Sequence, residues 1–156
     1  MQITLVDLDN PLHSQAVMTM MTNYATDPMG GGQDLAPDVK AKLISQLKKQ
    51  PLYSGFIMWN GKQPIGLANC FAGFSTFKAQ PLLNIHDFAI SEEYRGQGLG
   101  QQLMQFVCEF AKQQGHCKVT LEVLSNNQVA KNVYAKAGFA QYKLASDVAE
   151  FWQKYL

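Results

Sequence analysis

Apolar and polar positions alternate from the start of the chain. Ile3, Leu5, Val6 and Leu8 predict a first strand over residues 3–8. Asn10-Pro11 is a cap followed by a proline at the first helical position. The apolar set Leu12, Ala16, Val17, Met20 and Tyr24 then recurs at helical spacing. Asp27-Pro28-Met29-Gly30-Gly31-Gly32 ends that helix. A second helix is predicted over residues 38–49, with Val39, Leu43, Ile44 and Leu47 on one face. The period then changes to two. Residues 53–59 and 65–74 read as strands around the turn Asn60-Gly61, and residues 82–91 as a third strand after a polar loop.

The second half returns to mixed periods. A helix over residues 98–114 places Leu99, Leu103, Phe106, Val107 and Phe110 inward and ends at Gly115. A buried strand is predicted over residues 118–124. A short helix follows over residues 127–137, closed by Gly138, and then a strand over 141–144. The last segment is ambiguous: Val148, Phe151, Trp152 and Tyr155 fit a helix, and Phe151, Gln153 and Tyr155 fit a strand. No linker or repeat divides the chain, so residues 1–156 are expected to form one domain.

Composition narrows the class. With 47% hydrophobic and 16% charged residues the chain is globular rather than disordered. A net charge of +1 gives no electrostatic case for nucleic acid or an anionic membrane. No apolar run nears the ~18 residues that span a bilayer, and the first residues lack a signal-peptide pattern, so a cytoplasmic location is the expectation. Cys70, Cys108 and Cys117 lack the close spacing of a zinc or redox pair and read as small apolar residues; no metal site is expected.

The informative stretch is Arg95-Gly96-Gln97-Gly98-Leu99-Gly100, set between an apolar strand and an amphipathic helix. Glycines let the backbone turn tightly and approach a ligand, and a helix N-terminus offers unpaired N–H groups and partial positive charge. A loop that merely packs a helix on a strand would read the same way. Arg95 is the sole arginine among 13 basic residues, which suggests a phosphate-facing guanidinium. The dinucleotide fingerprint and the Walker loop are both absent.

Arg95-x-x-Gly98-x-Gly100 resembles the acetyl-CoA signature of the GNAT N-acetyltransferases. Downstream, Leu121-Glu122-Val123 and Asn127-x-x-Ala130-x-x-x-Tyr134-x-Lys136-x-Gly138-Phe139 is similar to the second half of that family's core. His86-Asp87-Phe88-Ala89-Ile90 and residues 92–100 look most like the spermidine/spermine acetyltransferase branch. The resemblance implies an α/β (α+β) fold with a mixed, mostly antiparallel sheet flanked by helices, in the order β-α-α-β-β-β-α-β-α-β-β. It makes the last segment a strand over residues 150–155.

It also implies acetyl transfer from acetyl-CoA to a primary amine of a small molecule, by direct attack in a ternary complex. Two alternatives stay open: a non-catalytic acetyl-CoA-binding module, and an enzyme acting on a protein or peptide amine. On this resemblance, backbone N–H groups of Arg95, Gly96, Gln97, Gly98, Leu99 and Gly100 surround the pyrophosphate. Phe88, Ala89 and Ile90 flank the pantetheine arm and offer N–H groups to the thioester oxygen, and Asn127 bonds the arm from the other side. Lys131 or Lys136 reaches the phosphates, unless these are solvated helix lysines.

Tyr134 is the implied proton donor to the departing thiolate. An alkyl ammonium titrates near ~10.4, so a base is needed at neutral pH. His86 stands where the polyamine branch carries a glutamate. His86, the adjacent Asp87 and a water relay are the candidates, and a regular strand would turn only one of the two side chains to the cleft. Phe71, Phe74, Phe77 and the glycine loop of residues 27–34 are expected to border the acceptor pocket, and Asp34, Glu92 and Glu93 to attract a cationic amine. A homodimer is expected from the family habit and from Phe151, Trp152 and Tyr155 near the terminus.

Overall fold

A computed structural model describes all 156 residues. Five strands form one sheet in the order β1-β2-β3-β4-β5, comprising β1 (Gln2–Leu5), β2 (Tyr53–Asn60), β3 (Gln63–Ser75), β4 (Gln80–Ile90) and β5 (Val119–Leu121). Neighbours are antiparallel except the parallel pair β4–β5. Helices α1 (Pro11–Thr26) and α2 (Pro37–Leu47) lie on one face, α3 (Leu99–Gln113) and α4 (Gln128–Lys136) on the other. No helix is long and apolar enough to cross a membrane.

Strand alternation sends side chains to two cores. Phe56, Met58, Ile65, Ala68, Cys70, Leu83 and Ile85 meet Leu99, Leu103, Met104, Val107 and Ala111 of α3 and Tyr134 of α4. Ile57, Trp59 and Leu67 meet Ala16, Val17 and Met20 of α1 and Leu47 of α2. Asn10 caps α1 by accepting from the Leu12 N–H at 2.9 Å, with Pro11 behind it. The β2–β3 turn is centred on Gly61-Lys62, one residue later than predicted, because Asn60 still pairs with Gln63; Gly61 has φ +59°.

Several boundaries differ from the sequence expectation. Strand β1 stops at Leu5 because Asp7 begins a turn, accepting from the Asp9 N–H through its carboxylate. Phe106, expected inward, is 40% exposed, and Met104 and Ala111 take the α3 core positions. Strand β5 has three residues rather than seven and pairs with β4 only at Leu83–Val119, Asn84–Thr120 and Ile85–Leu121. The strand expected over residues 150–155 does not form. After α4 the strands are β6 (Lys143–Leu144) and β7 (Asp147–Val148), a two-stranded hairpin apart from the main sheet, turning where Ala145 has φ +55°. A strand exists through its partner's ladder, and no strand edge takes residues 149–156, which lie exposed.

Candidate active site

Two irregularities of β4 build the site. The first is its parting from β5. Beyond Ile85 and Leu121 the ladder ends, so Phe88, Ala89 and Ile90 pair with β3 alone and their other edge has no strand beside it. The second is a bulge. Asn69 pairs with Asp87, and Cys70 with Ile85, which leaves His86 as an extra residue. A regular strand would separate His86 and Asp87 to opposite faces. The bulge instead puts both on the α1–α2 face, correcting that expectation.

His86 is exposed, and its ring stands edge-on to Phe71 at 5.7 Å. Asp87 is half-buried. Its Oδ2 accepts from Asn69 Nδ2 at 2.9 Å, and Asn69 Oδ1 accepts from the Tyr53 hydroxyl at 2.9 Å. Burial, with Cys70 and Asp87 nearby, pushes the Tyr53 phenol far above its ordinary value. Tyr24, in the last turn of α1, carries no sequence signal beyond its place in the helical pattern. Its phenol is raised by burial and by the nearby carboxylates of Asp87 and Asp27.

Tyr134 belongs to the core on the opposite face and stands beside Phe88, where β4 has parted from β5, close enough to feel Tyr24 of α1. Its ring is buried, edge-on to Phe88 at 6.1 Å and tilted against Phe139 at 6.1 Å. Burial, then the electrostatic influence of Tyr24, pushes its phenol up to about 12. No group of the protein hydrogen-bonds its hydroxyl. A packed structural tyrosine would spend that hydroxyl on a partner; this one keeps it free.

The glycine loop is the third part. After a 3-10 turn at Glu92–Tyr94, Gly96 and Gly98 adopt φ +75° and +77°. That left-handed geometry is natural only for glycine and turns successive N–H groups toward one side. No backbone or side-chain acceptor takes the N–H groups of Gly96, Gln97, Gly98, Leu99 or Gly100. Gly98 caps α3 without a side chain, and no acidic residue stands in its first turn. Five open donors at the positive end of a helix fit a pyrophosphate.

Arg95 departs from expectation. Its backbone N–H donates to Glu92 O at 3.1 Å. Its guanidinium donates from Nε to Ile90 O at 2.9 Å and from Nη2 to Asp27 Oδ2 at 2.7 Å. The side chain faces the α1–α2 loop rather than a phosphate, because the end of β4 and the start of that loop present two acceptors within its reach.

Other expected residues divide. Asn127 caps α4, its Oδ1 accepting from Ala130 N at 3.0 Å, so only its amide nitrogen is free for a ligand. Lys131 donates to Ser125 O, and Lys136 is exposed in the last turn of α4. A cavity of about 300 Å³ beside the end of β4 is lined by Tyr24, Asp27, Ala89, Ile90 and Glu92, among others. Phe71 reaches the site through His86. Phe74 and Phe77 do not; they sit at the exposed tip of the β3–β4 hairpin, at the far end of β4, 63% and 89% exposed. Asp34 is engaged by Lys40 at 2.6 Å.

Fold and site together define an α/β domain with a glycine loop of open N–H groups at one end of a parted sheet. The chain belongs to the acetyltransferase (GNAT) family, whose model matches residues 18–139; acetyl-CoA is the co-substrate of that family. It is 35% identical over 57 residues to the uncharacterized N-acetyltransferase YycN of Bacillus subtilis, a stretch covering 36% of this chain and 36% of YycN. It is 31% identical over 74 residues to the thialysine N-epsilon-acetyltransferase of Bos taurus, covering 47% of this chain and 43% of that one. The matched stretches thus span less than half the length of these curated relatives. Among solved structures, a probable acetyltransferase aligns over 99% of this chain and 100% of its own, with TM-score 0.81 and 16% identity, which shows the fold.

Proposed function

We propose that the protein transfers an acetyl group from acetyl-CoA to a primary amine of a small molecule, by direct attack within a ternary complex. The observation that carries this reading is the unpartnered Tyr134 hydroxyl, reaching the parting of β4 and β5 opposite Asp87 and Tyr24. A module that only bound acetyl-CoA would need the glycine nest but not this convergence of proton-carrying groups.

When bound, acetyl-CoA supplies an activated acetyl group on a thiol leaving group. Its pyrophosphate fits the open N–H groups from Gly96 to Gly100, and its pantetheine arm fits the free edge of Phe88, Ala89 and Ile90. N–H groups on that edge would polarise the thioester carbonyl oxygen. The Asn127 amide nitrogen borders the arm, and Lys136 lies on the helix flanking it. Asp87, oriented by Asn69 and Tyr53, holds the incoming ammonium by charge. His86, exposed on the bulge, accepts the proton and passes it to solvent. Tyr134 would donate a hydrogen bond from its hydroxyl to the departing sulfur as negative charge develops there.

The similarity to a thialysine acetyltransferase and to part of the polyamine-branch pattern supports a small acceptor bearing more than one amine. Exposed Phe151, Trp152 and Tyr155 support a homodimer. The test is a thiol-release assay with acetyl-CoA and a panel of spermidine, lysine, sisomicin and an alanyl peptide. Turnover of a small amine above the peptide supports the reading. Stabilisation by acetyl-CoA with no thiol release from any amine refutes it.

A further inference from the structure

Arg95 and Asp27 are 68 residues apart and join two loops that the reaction needs at once. Asp27 is the hub of the loop after α1. Its backbone N–H donates to Tyr24 O at 3.1 Å, and its carbonyl accepts from Gly30 N at 2.8 Å and Gly32 N at 2.9 Å. Its Oδ1 accepts from Met29 N at 2.8 Å, which leaves Oδ2 for Arg95. The loop closes tightly over the end of α1: a Cβ on Gly30 would lie 1.8 Å from Tyr24 O. The carboxylate is no ordinary surface partner, since the Asp27 side chain keeps 14% of its exposure. Burial works against its ionisation, yet the Met29 N–H and the Arg95 guanidinium outweigh it and hold the carboxyl below its ordinary range. The same guanidinium is fixed through Nε by the carbonyl of Ile90, the last residue of β4, and Arg95 directly precedes the glycine nest.

We propose that Arg95 is a positioning residue: with Asp27 it fastens the loop of residues 27–33 to the cofactor loop, and so fixes the wall of the acceptor cavity that carries Tyr24. The cavity lies directly inside this clasp, lined by Tyr24, Asp27, Ala89, Ile90 and Arg95. A guanidinium suits the task because its planar fork serves two acceptors in different directions, which an ammonium does less well. The acceptor side of the inference rests on the function proposed above. The clasp itself does not.

The experiment compares Arg95→Gln, Arg95→Lys, Asp27→Asn and the Arg95→Gln/Asp27→Asn double variant. Amide hydrogen exchange is read at Met29, Gly30, Gly32 and Gln33, acetyl-CoA affinity by calorimetry, and amine kinetics with the panel amine turned over fastest. Exchange at those four amides is expected to quicken about tenfold in Arg95→Gln and Asp27→Asn, with partial recovery in Arg95→Lys. Acetyl-CoA affinity should stay within about threefold, since the N–H groups of residues 96–100 hold the phosphates. The amine KM should rise about tenfold with kcat within threefold, and the double variant should be no worse than either single. An Arg95→Gln protein that loses acetyl-CoA affinity tenfold, while exchange over 29–33 stays native, overturns the proposal and returns the guanidinium to the phosphates. If no panel amine reacts, the function reading fails, and exchange with calorimetry still decides the clasp.

Discussion

Replacing Tyr134 with phenylalanine removes one oxygen from a ring held by Phe88 and Phe139. The hydroxyl has no protein partner to orphan, so folding stability should change by no more than about 0.5 kcal/mol. The kinetic effect follows from the phenol's environment. With its pKa pushed up to about 12 by burial and then by Tyr24, Tyr134 is fully protonated at neutral pH. Against a thiol near ~8.5, complete transfer from such a phenol is uphill by about 5 kcal/mol. On the proposed reading the hydroxyl would therefore act chiefly as a hydrogen-bond donor to developing charge on sulfur. Hydrogen bonds to charged groups contribute about 1.5–3 kcal/mol, and general-acid steps about 10²–10⁴-fold. The two ranges meet near a hundredfold, or about 2.7 kcal/mol. The assay is single-turnover thiol release, with acetyl-CoA affinity measured in parallel. We expect kcat to fall about a hundredfold with affinity unchanged. The raised pKa also carries a sign. The fold favours the neutral phenol, so this contribution is complete below the unfolded value of about 10 and is lost as pH climbs toward about 12. Alkaline unfolding should accordingly be less steep in Tyr134→Phe. A variant with kcat within threefold of the native enzyme refutes the acid assignment.

Gly98→Val forces a β-branched residue to φ +77° in open space, so strain rather than a clash is its cost. Acetyl-CoA affinity should drop at least tenfold while the thermal transition remains cooperative; undiminished affinity by calorimetry rejects the nest. His86→Ala should lower kcat near neutral pH and recover at high pH, where free amine is more abundant, whereas Asp87→Asn should chiefly raise the amine KM. Reversal of those two patterns in pH-rate profiles makes Asp87 the base. Sedimentation equilibrium at micromolar concentration should give a dimer of the 17.4 kDa chain, and a Phe151→Ser/Trp152→Ser variant a monomer. A native chain that sediments at 17.4 kDa removes the dimer.

Periodicity carried the element order from the first strand to α4, because two cores demand alternation along β2, β3 and β4, broken only at the register shifts by Met58/Trp59 and Asn69/Cys70, and a 3.6 period along α1 and α3. The glycine nest was legible too, since positive φ at Gly96 and Gly98 leaves a residue-type signature. What escaped the sequence was relational. The bulge at His86 is a mismatch between two strands and shows in neither alone. The guanidinium of Arg95 has its partner, Asp27, far back in the chain, and nothing in its own loop signals that pairing. Tyr24 looked like one more apolar position on α1. The tail misled for a different reason. Phe151, Trp152 and Tyr155 have the composition of a strand, but composition does not supply a ladder, and the sheet leaves them 73%, 83% and 87% exposed.

The two irregularities of β4 have complementary consequences. Had β4 and β5 stayed paired to Ile90, the edge of Phe88–Ile90 would be spent on a ladder, and Tyr134 would be walled off from the α1–α2 face by the sheet itself. Parting the strands leaves that edge to a ligand and lets a residue of the α3–α4 core meet groups from the other core. The bulge at His86, just past the last paired residue Ile85, turns His86 and Asp87 to the face where α1 delivers Tyr24. An acid for the leaving group and a base for the attacking amine must approach one carbonyl from different sides. On the proposed reading Tyr134 would be that acid, beside the gap, and His86 or Asp87 that base, on the opposite face. Closing the gap or straightening the bulge would each remove one of the two, and the regular core beneath β2 and β3 would be unaffected.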